Sequence, residues 1–335
     1  MKGLFKRIKC AINYGFYSEY RFRRTARHRL MRYYSEEAPH ATNATKQVVI
    51  MFDGRKNHGG LADRLRGICT TYCLCREEGY DFRVNFTSPF RLEEFLEPNH
   101  YDWRIDEQAL SYNLHDARPI YISSSNLDEE RDNRFQRRIA KKFLADNFKQ
   151  LHLYTNMRFE EAQFGDTFHH LFRPAKWLQA LIDEQIEALG GERQFIAVST
   201  RFMESLGDFN ESANQAAQGL PAAEQEALLA QCSEQLERIH AEHPDQTILV
   251  TSDSGRFIDH VTAHHPYVRT MPGKIGHMDV VGGSEKAVHT KTFLDFLVLA
   301  AAAEHYYLVG PHMYAGNYSR RAAQIGKAPF HEVKF

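Results

Sequence analysis

The sequence predicts an α/β protein of two Rossmann-like halves preceded by a basic helical arm, and three observations carry that prediction. Apolar runs of strand length alternate with amphipathic helical stretches from Val48 onward, the pattern of parallel sheets with crossover helices. The alternation breaks at Gly190-Gly191 and resumes at Phe195, which divides it into two sheets. Polar residues follow the ends of the runs: Asp53, Ser123, Arg201, Asp253, and Tyr314 to Ser319. Open α/β sheets bind their ligands off those carboxyl ends, so two such units facing each other would enclose a cleft.

A chain of 335 residues, 43% hydrophobic and 25% charged, is that of a soluble globular protein too long for one simple core. The expected division is an arm and linker over residues 1–45, a first Rossmann-like domain over 46–175 and a second over 176–335. The formal net charge is −1, yet Met1 to Tyr34 hold ten Lys or Arg against one acid, Glu19. Leu4, Phe5 and Ile8 alternate there with basic residues, and Tyr14, Phe16, Tyr17, Tyr20 and Phe22 interleave with Arg21, Arg23, Arg24 and Arg27. Rings plus positive charge suit an anionic membrane surface. Packing against its own protein is the alternative, and nucleic acid ranks last. No apolar run reaches transmembrane length, and the start lacks the apolar core of a secretory signal. The expected location is therefore cytoplasmic, peripheral to a membrane. Five cysteines without a regular framework suit a reducing compartment. Cys69, Cys73 and Cys75 fall on one predicted helix and read as buried thiols rather than zinc ligands.

In order, Val48 to Phe52 is an apolar run fit for a buried strand. It ends at Asp53-Gly54, and Gly59-Gly60 precede Leu61, Leu65, Ile68, Tyr72 and Cys75 at helical spacing. This strand, glycine turn and helix expose backbone N–H groups where an anion can bind; an ordinary turn fits equally. Asp63, Arg64 and Arg66 lie in the helix's first turns. Phe82 to Phe86 reads as a strand, Arg91 to Leu96 as a short helix, Ile120 to Ser124 as a strand, and Asp128 to Asn147 as a charged helix. Leu151 to Phe172 is aromatic and without clear periodicity. A helix from Trp177 ends at Gly190-Gly191. In the second half, Phe195 to Val198 is a strand leading to Arg201, and Asn210 to Leu220 reads as a mobile loop. Pro221 opens a helix through His240, Thr247 to Val250 is a strand, and a helix starts at Gly255. His289 to Ala303 is a helix, His305 to Val309 a strand, and a final helix runs to Gly326.

These residues carry a resemblance. Gly-Gly-Leu-Ala-Asp-Arg-Leu at Gly59 to Leu65 resembles the glycine motif of the α-1,2, α-1,6 and protein O-fucosyltransferase superfamily. The strand leading to Arg201 resembles the family's arginine motif. Ile248 to Ser254 resembles its strand ending in Ser/Thr-Asp, and His289 to Ser319 resembles its last block, with Phe293-Leu294-Asp295-Phe296-Leu297 at the centre. The matches keep the family's order over Val48 to Lys327. The resemblance implies a GT-B architecture, GDP-fucose as donor, inversion at the anomeric carbon and no required metal. It implies a nucleotide in the C-terminal half and a glycan acceptor in the N-terminal half; the basic arm, if it lies on a membrane, adds a lipid-linked glycan as the acceptor expected there. Arg201 maps onto the arginine at the donor pyrophosphate, Asp253 onto an acid that contacts the nucleotide, Ser319 onto a hydroxyl near the phosphates, and Gly59 and Gly60 onto the loop that faces the donor. Asp63, Arg64, Tyr314 and Asn317 complete the donor-binding set. Two positions depart from the pattern: Ser199 stands where the family has histidine, and Phe202 stands where it has a second arginine.

The chemistry is consistent with that assignment. Breaking a sugar–phosphate bond without a metal leaves charge on a diphosphate, which needs a guanidinium and hydroxyl or N–H donors. The sequence offers no Asp-x-Asp pair and no zinc spacing. His277 and Asp279 could bind a metal or belong to a polar loop. The acceptor hydroxyl needs a proton acceptor; Glu204 and Asp208, beside Arg201, and Asp53 and Asp63 are candidates. For Arg201 the alternative is a surface ion pair, and for Asp253 an N-cap. A transferase using another nucleotide sugar and a non-catalytic binding module are the competing functions.

Overall fold

The computed structural model describes Phe5, Ile8, Lys9, Ile12, Tyr14 and residues 18–123, 129–159, 163–208, 219–276 and 286–335. His277, Asp279 and residues 210–218 of the expected mobile loop lie outside the described residues. The chain divides into two compact units. One comprises Met1–Gly59, Asp63–Leu92 and Pro98–Arg173; the other comprises Gly60–Ala62, Glu93–Glu97 and Pro174–Phe335.

The first unit opens with helix α1 (Ser18–Thr25), which widens into a π turn (Ala26–Leu30) and tightens into a 3-10 turn (Met31–Tyr33). From Ser18 on, the arm is not a separate module. Phe22, Ala26, Leu30 and Tyr34 are buried, and Ala26 and Leu30 pack with Val49, Met51 and Tyr154. Packing on its own protein thus accounts for residues 18–34, because their apolar residues recur on one face and the arginines on the other.

The sheet of this unit is fully parallel, in the order β2-β1-β5-β4. Its strands are β1 (Gln47–Phe52), β2 (Asp81–Phe86), β4 (Ala117–Tyr121) and β5 (Gln150–Tyr154). Helix α2 (Leu61–Glu78) connects β1 to β2, and α3 (Glu129–Leu144) connects β4 to β5. Val48 to Phe52 are all buried, as a central parallel strand requires. Gly67 lets α2 approach the end of β5: a Cβ there would lie 2.7 Å from the Thr155 carbonyl oxygen. The expected helix at Arg91 to Leu96 is instead a single 3-10 turn (Leu92–Glu94) followed by β3 (Leu96–Pro98), which pairs with β6 (Phe172–Pro174). Burial of Phe95 and Leu96 outweighs the helical propensity of the short Leu-Glu-Glu run. The aromatic stretch after Leu151 resolves into β5, α4 (Phe164–Leu171) and β6.

The second unit carries α5 (Lys176–Ala188) and a parallel sheet in the order β11-β10-β7-β8-β9. The elements are β7 (Phe195–Thr200), α6 (Ala222–Glu242), β8 (Thr247–Thr251), α7 (Gly255–His264), β9 (Val268–Arg269), α8 (Lys286–Leu299), β10 (Glu304–Val309), α9 (Tyr318–Gly326) and β11 (Phe330–Lys334). In chain order the strands lie 3-2-1-4-5, the Rossmann arrangement, whose switch point falls between β7 and β10. Ile196, Val198, Ile248, Val250 and Leu308 meet Leu228, Cys232, Leu236, Phe257 and Val261 from α6 and α7 in one core. No helix among the described residues is long and apolar enough to cross a membrane.

Candidate active site

The chain after β7 is pinned by alternation. Phe202 and Leu206 are buried, Phe202 against Phe257 at 5.0 Å, which turns Arg201 and Glu204 outward. Phe202 therefore serves the core where the resembled family has an arginine. Asp253, at the end of β8, fixes the same turn. Its Oδ1 accepts the Phe202 N–H and its Oδ2 the Met203 N–H, both at 2.8 Å, and Met203 takes a positive φ of 54°. Burial pushes the Asp253 carboxyl up to about 6, opposed by those two N–H donors and by Arg201. Arg201 Nε lies 3.9 Å from Asp253 Oδ2, and the Arg201 side chain stays 30% exposed.

The loop after β10 supplies the facing wall. Tyr314 donates its N–H to the Arg201 carbonyl at 2.9 Å, and the Arg201 guanidinium lies over the Tyr314 ring, 5.0 Å from its centroid. Tyr307 on β10 holds this turn. Its hydroxyl donates to the Tyr314 carbonyl at 2.8 Å and accepts the Gly316 N–H at 2.9 Å; burial pushes the phenol up to about 12. Asn317 precedes α9 and makes no side-chain cap, so the first N–H groups of α9 receive none from it. The start of α7 is closed by contrast. Ser254 Oγ accepts the Phe257 N–H at 3.1 Å, and Asp208 Oδ2 accepts both the Ser254 hydroxyl, at 2.9 Å, and the Arg256 N–H, at 2.8 Å.

Thus Arg201, Asp253, Tyr314 and Asn317 gather at the switch point, while other candidates take different places. Asp208 caps α7, and Asp253 shapes the turn that presents Arg201. Ser319 is 1% exposed and turned inward, 3.4 Å from His305 Nδ1, because it lies on the core face of α9. Ser199 likewise faces inward and shares a 2.8 Å hydrogen bond with Thr251. Glu204 is part-exposed, and its carboxylate has no partner among the described residues. Sequence reading missed Tyr307; the only hint was a tyrosine inside an apolar strand, whose hydroxyl needs a partner when buried.

At the glycine turn before α2, Gly59 has a φ of 76°, and nothing lies within 4 Å of a Cβ built on Gly60. Arg64 is 4% exposed, with Nε on the Gly59 carbonyl at 2.9 Å and Nη1 on the Ser88 carbonyl at 2.7 Å. It clamps two loops, since a buried guanidinium must satisfy its donors. Asp63 pairs with Arg66 at 2.9 Å. Asp53 is no open base: its Oδ2 accepts the Tyr154 hydroxyl at 2.8 Å and lies 3.4 Å from Arg55 Nη1. The Arg55 guanidinium lies between the rings of Tyr33 and Tyr112, at 4.4 and 4.1 Å. His58 stacks on Tyr154, and His152 hydrogen-bonds the Tyr34 hydroxyl at 2.6 Å. Burial holds both imidazoles down to about 3, helped at His58 by Arg64 and at His152 by Arg55. No group of three or more potential metal ligands occurs among the described residues.

No family model and no curated protein sequence matches the chain. Solved structures do. The α-1,6-fucosyltransferase NodZ, from Bradyrhizobium and soaked with GDP-fucose, superposes with a TM-score of 0.56 at 14% identity, covering 84% of this chain and 93% of that one. A variant of Arabidopsis thaliana FUT1 in complex with GDP gives 0.51 at 14% identity, over 96% of this chain and 76% of that one. POFUT1 in its apo form gives 0.50 at 10% identity, over 88% and 99%. The chain therefore has the GT-B-like fold of these fucosyltransferases.

Proposed function

We propose that the chain is an inverting, metal-independent glycosyltransferase that moves fucose from GDP-fucose to a glycan hydroxyl. The observation that carries this reading is Arg201: a part-exposed guanidinium at the Rossmann switch point, backed by Asp253 and Tyr314. The likeness to NodZ, solved with GDP-fucose, and to the FUT1 variant, solved with GDP, supports the donor. In this reading Arg201 and the uncapped N–H groups of α9 receive the pyrophosphate, whose charge grows as the sugar leaves. Tyr314 and Asn317 border it, and Gly59, Gly60 and Asp63 belong to the donor loop. Glu204 takes the acceptor proton, since Asp208 and Asp53 are committed to neighbouring groups and Asp63 is ion-paired. The N-terminal unit binds the acceptor, a glycan or lipid-linked glycan, and the enzyme works in the cytoplasm at a membrane surface.

Ser199 favours a second reading. Its hydroxyl is taken by Thr251, leaving the position without the resembled family's histidine, so another nucleotide sugar is the competing donor. Calorimetry with GDP, UDP and ADP in EDTA decides. GDP binding supports the first reading and UDP or ADP binding the second. No binding, or activity restored only by Mg²⁺ or Mn²⁺, sinks both.

A further inference from the structure

Along the outer edge of the first unit's sheet, α1 and the π turn pack against β4, the edge strand, which carries Pro119 where a central strand could not. They leave a groove of about 380 Å³, within the ~300–1,000 Å³ of small-molecule sites. Its walls are apolar, formed by Met31, Leu114, Ile120 and Phe143. Three arginines, Arg23, Arg27 and Arg118, line it as well. Arg23 is tied to Glu19 at 3.1 Å and Arg118 to Asp146 at 2.9 Å. Arg27 is exposed and has no ion-pair partner among the described residues. The π turn places it there, and such turns recur at functional sites. An apolar slot beside a spare guanidinium, in a segment with ten basic residues and one acid, complements an amphiphile with one apolar chain and an anionic head.

A second observation points to the same environment. Phe5, Ile8 and Ile12 are helical and 66%, 48% and 62% exposed, spaced to share one helix face. Among the described residues, five of the seven exposed large hydrophobics fall in the first 33 positions, where water alone does not favour them.

We propose that this groove seats an acyl chain of an anionic membrane lipid, with Arg27 at its head group. The arm then does more than lie on the surface by charge: it draws one lipid tail into the protein. This site is independent of the transferase reading, and its test reads binding rather than turnover.

Calorimetry on the full chain with dodecyl phosphate below its micelle concentration should give one bound molecule. Inorganic phosphate should not bind, and dodecyl maltoside should bind more weakly. Arg27→Glu should weaken dodecyl phosphate on the order of tenfold, since it replaces an attraction with a repulsion. Leu114→Trp, which fills the groove from a half-buried wall without changing charge, should abolish binding. If circular dichroism finds that variant unfolded, Met31→Trp takes its place. Sedimentation with phosphatidylglycerol–phosphatidylcholine vesicles should fall in the same variants, and phosphatidylcholine alone should bind little. Binding that inorganic phosphate reproduces, or that survives the filled groove, overturns the proposal in favour of plain surface charge. Dodecyl phosphate binding without vesicle binding overturns the membrane source.

Discussion

Each sheet has a crevice off the carboxyl ends of two central parallel strands, and the two are used differently. In the first unit it lies off β1 and β5, and the protein fills it. Asp53, Tyr154, Arg55 and His58 bond or stack with one another and with Tyr33 and Tyr112. In the second unit it lies between β7 and β10. There Arg201 keeps 30% of its side chain exposed, Tyr314 is 49% exposed, and Asn317 leaves α9 without a side-chain cap. Two parallel sheets thus give one site closed by its own side chains and one whose cation is propped up by neighbours yet reachable. Charge at a strand end is not enough to mark a ligand site; what matters is whether the surrounding groups have consumed it.

Exchanging the two arginines in turn tests that contrast most sharply. Arg201→Ala should lower turnover about a hundredfold, equivalent to ~3 kcal/mol for a lost charge-assisted contact in a dry site, with the melting temperature unchanged. Arg55→Ala should lower the melting temperature and spare nucleotide affinity. Calorimetry and thermal melts of both proteins check this, and the reverse pattern would mean that the sites have been interchanged. Next in size is Tyr154→Phe, which strips a donor from buried Asp53 and should cost about 1–3 kcal/mol in denaturant unfolding. An unchanged midpoint would show that water replaces the hydroxyl.

Acid should separate the units too. His58 and His152 are held down to about 3 by burial, so the unfolded chain binds protons that the fold refuses. Their contribution to stability is complete above about pH 6.5 and is lost as pH falls toward 3, on the order of 1 kcal/mol each at pH 6. In the second unit, burial pushes His305 down to about 4, which acts in the same direction. Burial also pushes Asp253 and Asp295 up to about 6. Their folded forms hold extra protons between about pH 3.8 and 6, so the stability they contribute grows as pH falls through that window. Hydrogen exchange at pH 7.5 and 5.5 (roughly spanning these windows) should show β1 and β5 losing protection before β7 and β8; loss in the opposite order breaks the comparison. The smallest expected effect is at Tyr314. Tyr314→Ala removes a cation–π contact worth about 0.5–1 kcal/mol at an exposed site, so donor affinity should drop only a few-fold in a titration.

The alternation of apolar runs and helical periodicity determined the two parallel sheets, the strand that presents Arg201, and the positions of Asp253 and Tyr314. Those signals are local: a buried strand must be apolar throughout, and the residue after it must meet solvent or a partner. What the sequence could not decide was which partner. Arg64 and Arg201 are each one guanidinium near a strand end, but Arg64 meets the carbonyls of Gly59 and Ser88, 24 positions apart at the farther contact, and is buried by them. Ser319 was legible as a hydroxyl near a helix start, but only the packing of α9 turns it toward His305. Phe22, Ala26 and Leu30 read as part of a basic arm until Val49, Met51 and Tyr154 come to cover them. Strand β5 and Tyr307 were hidden for the same reason. Aromatic and polar side chains take their roles from partners distant in sequence, and burial, hydrogen bonding and charge are settled only when those partners arrive.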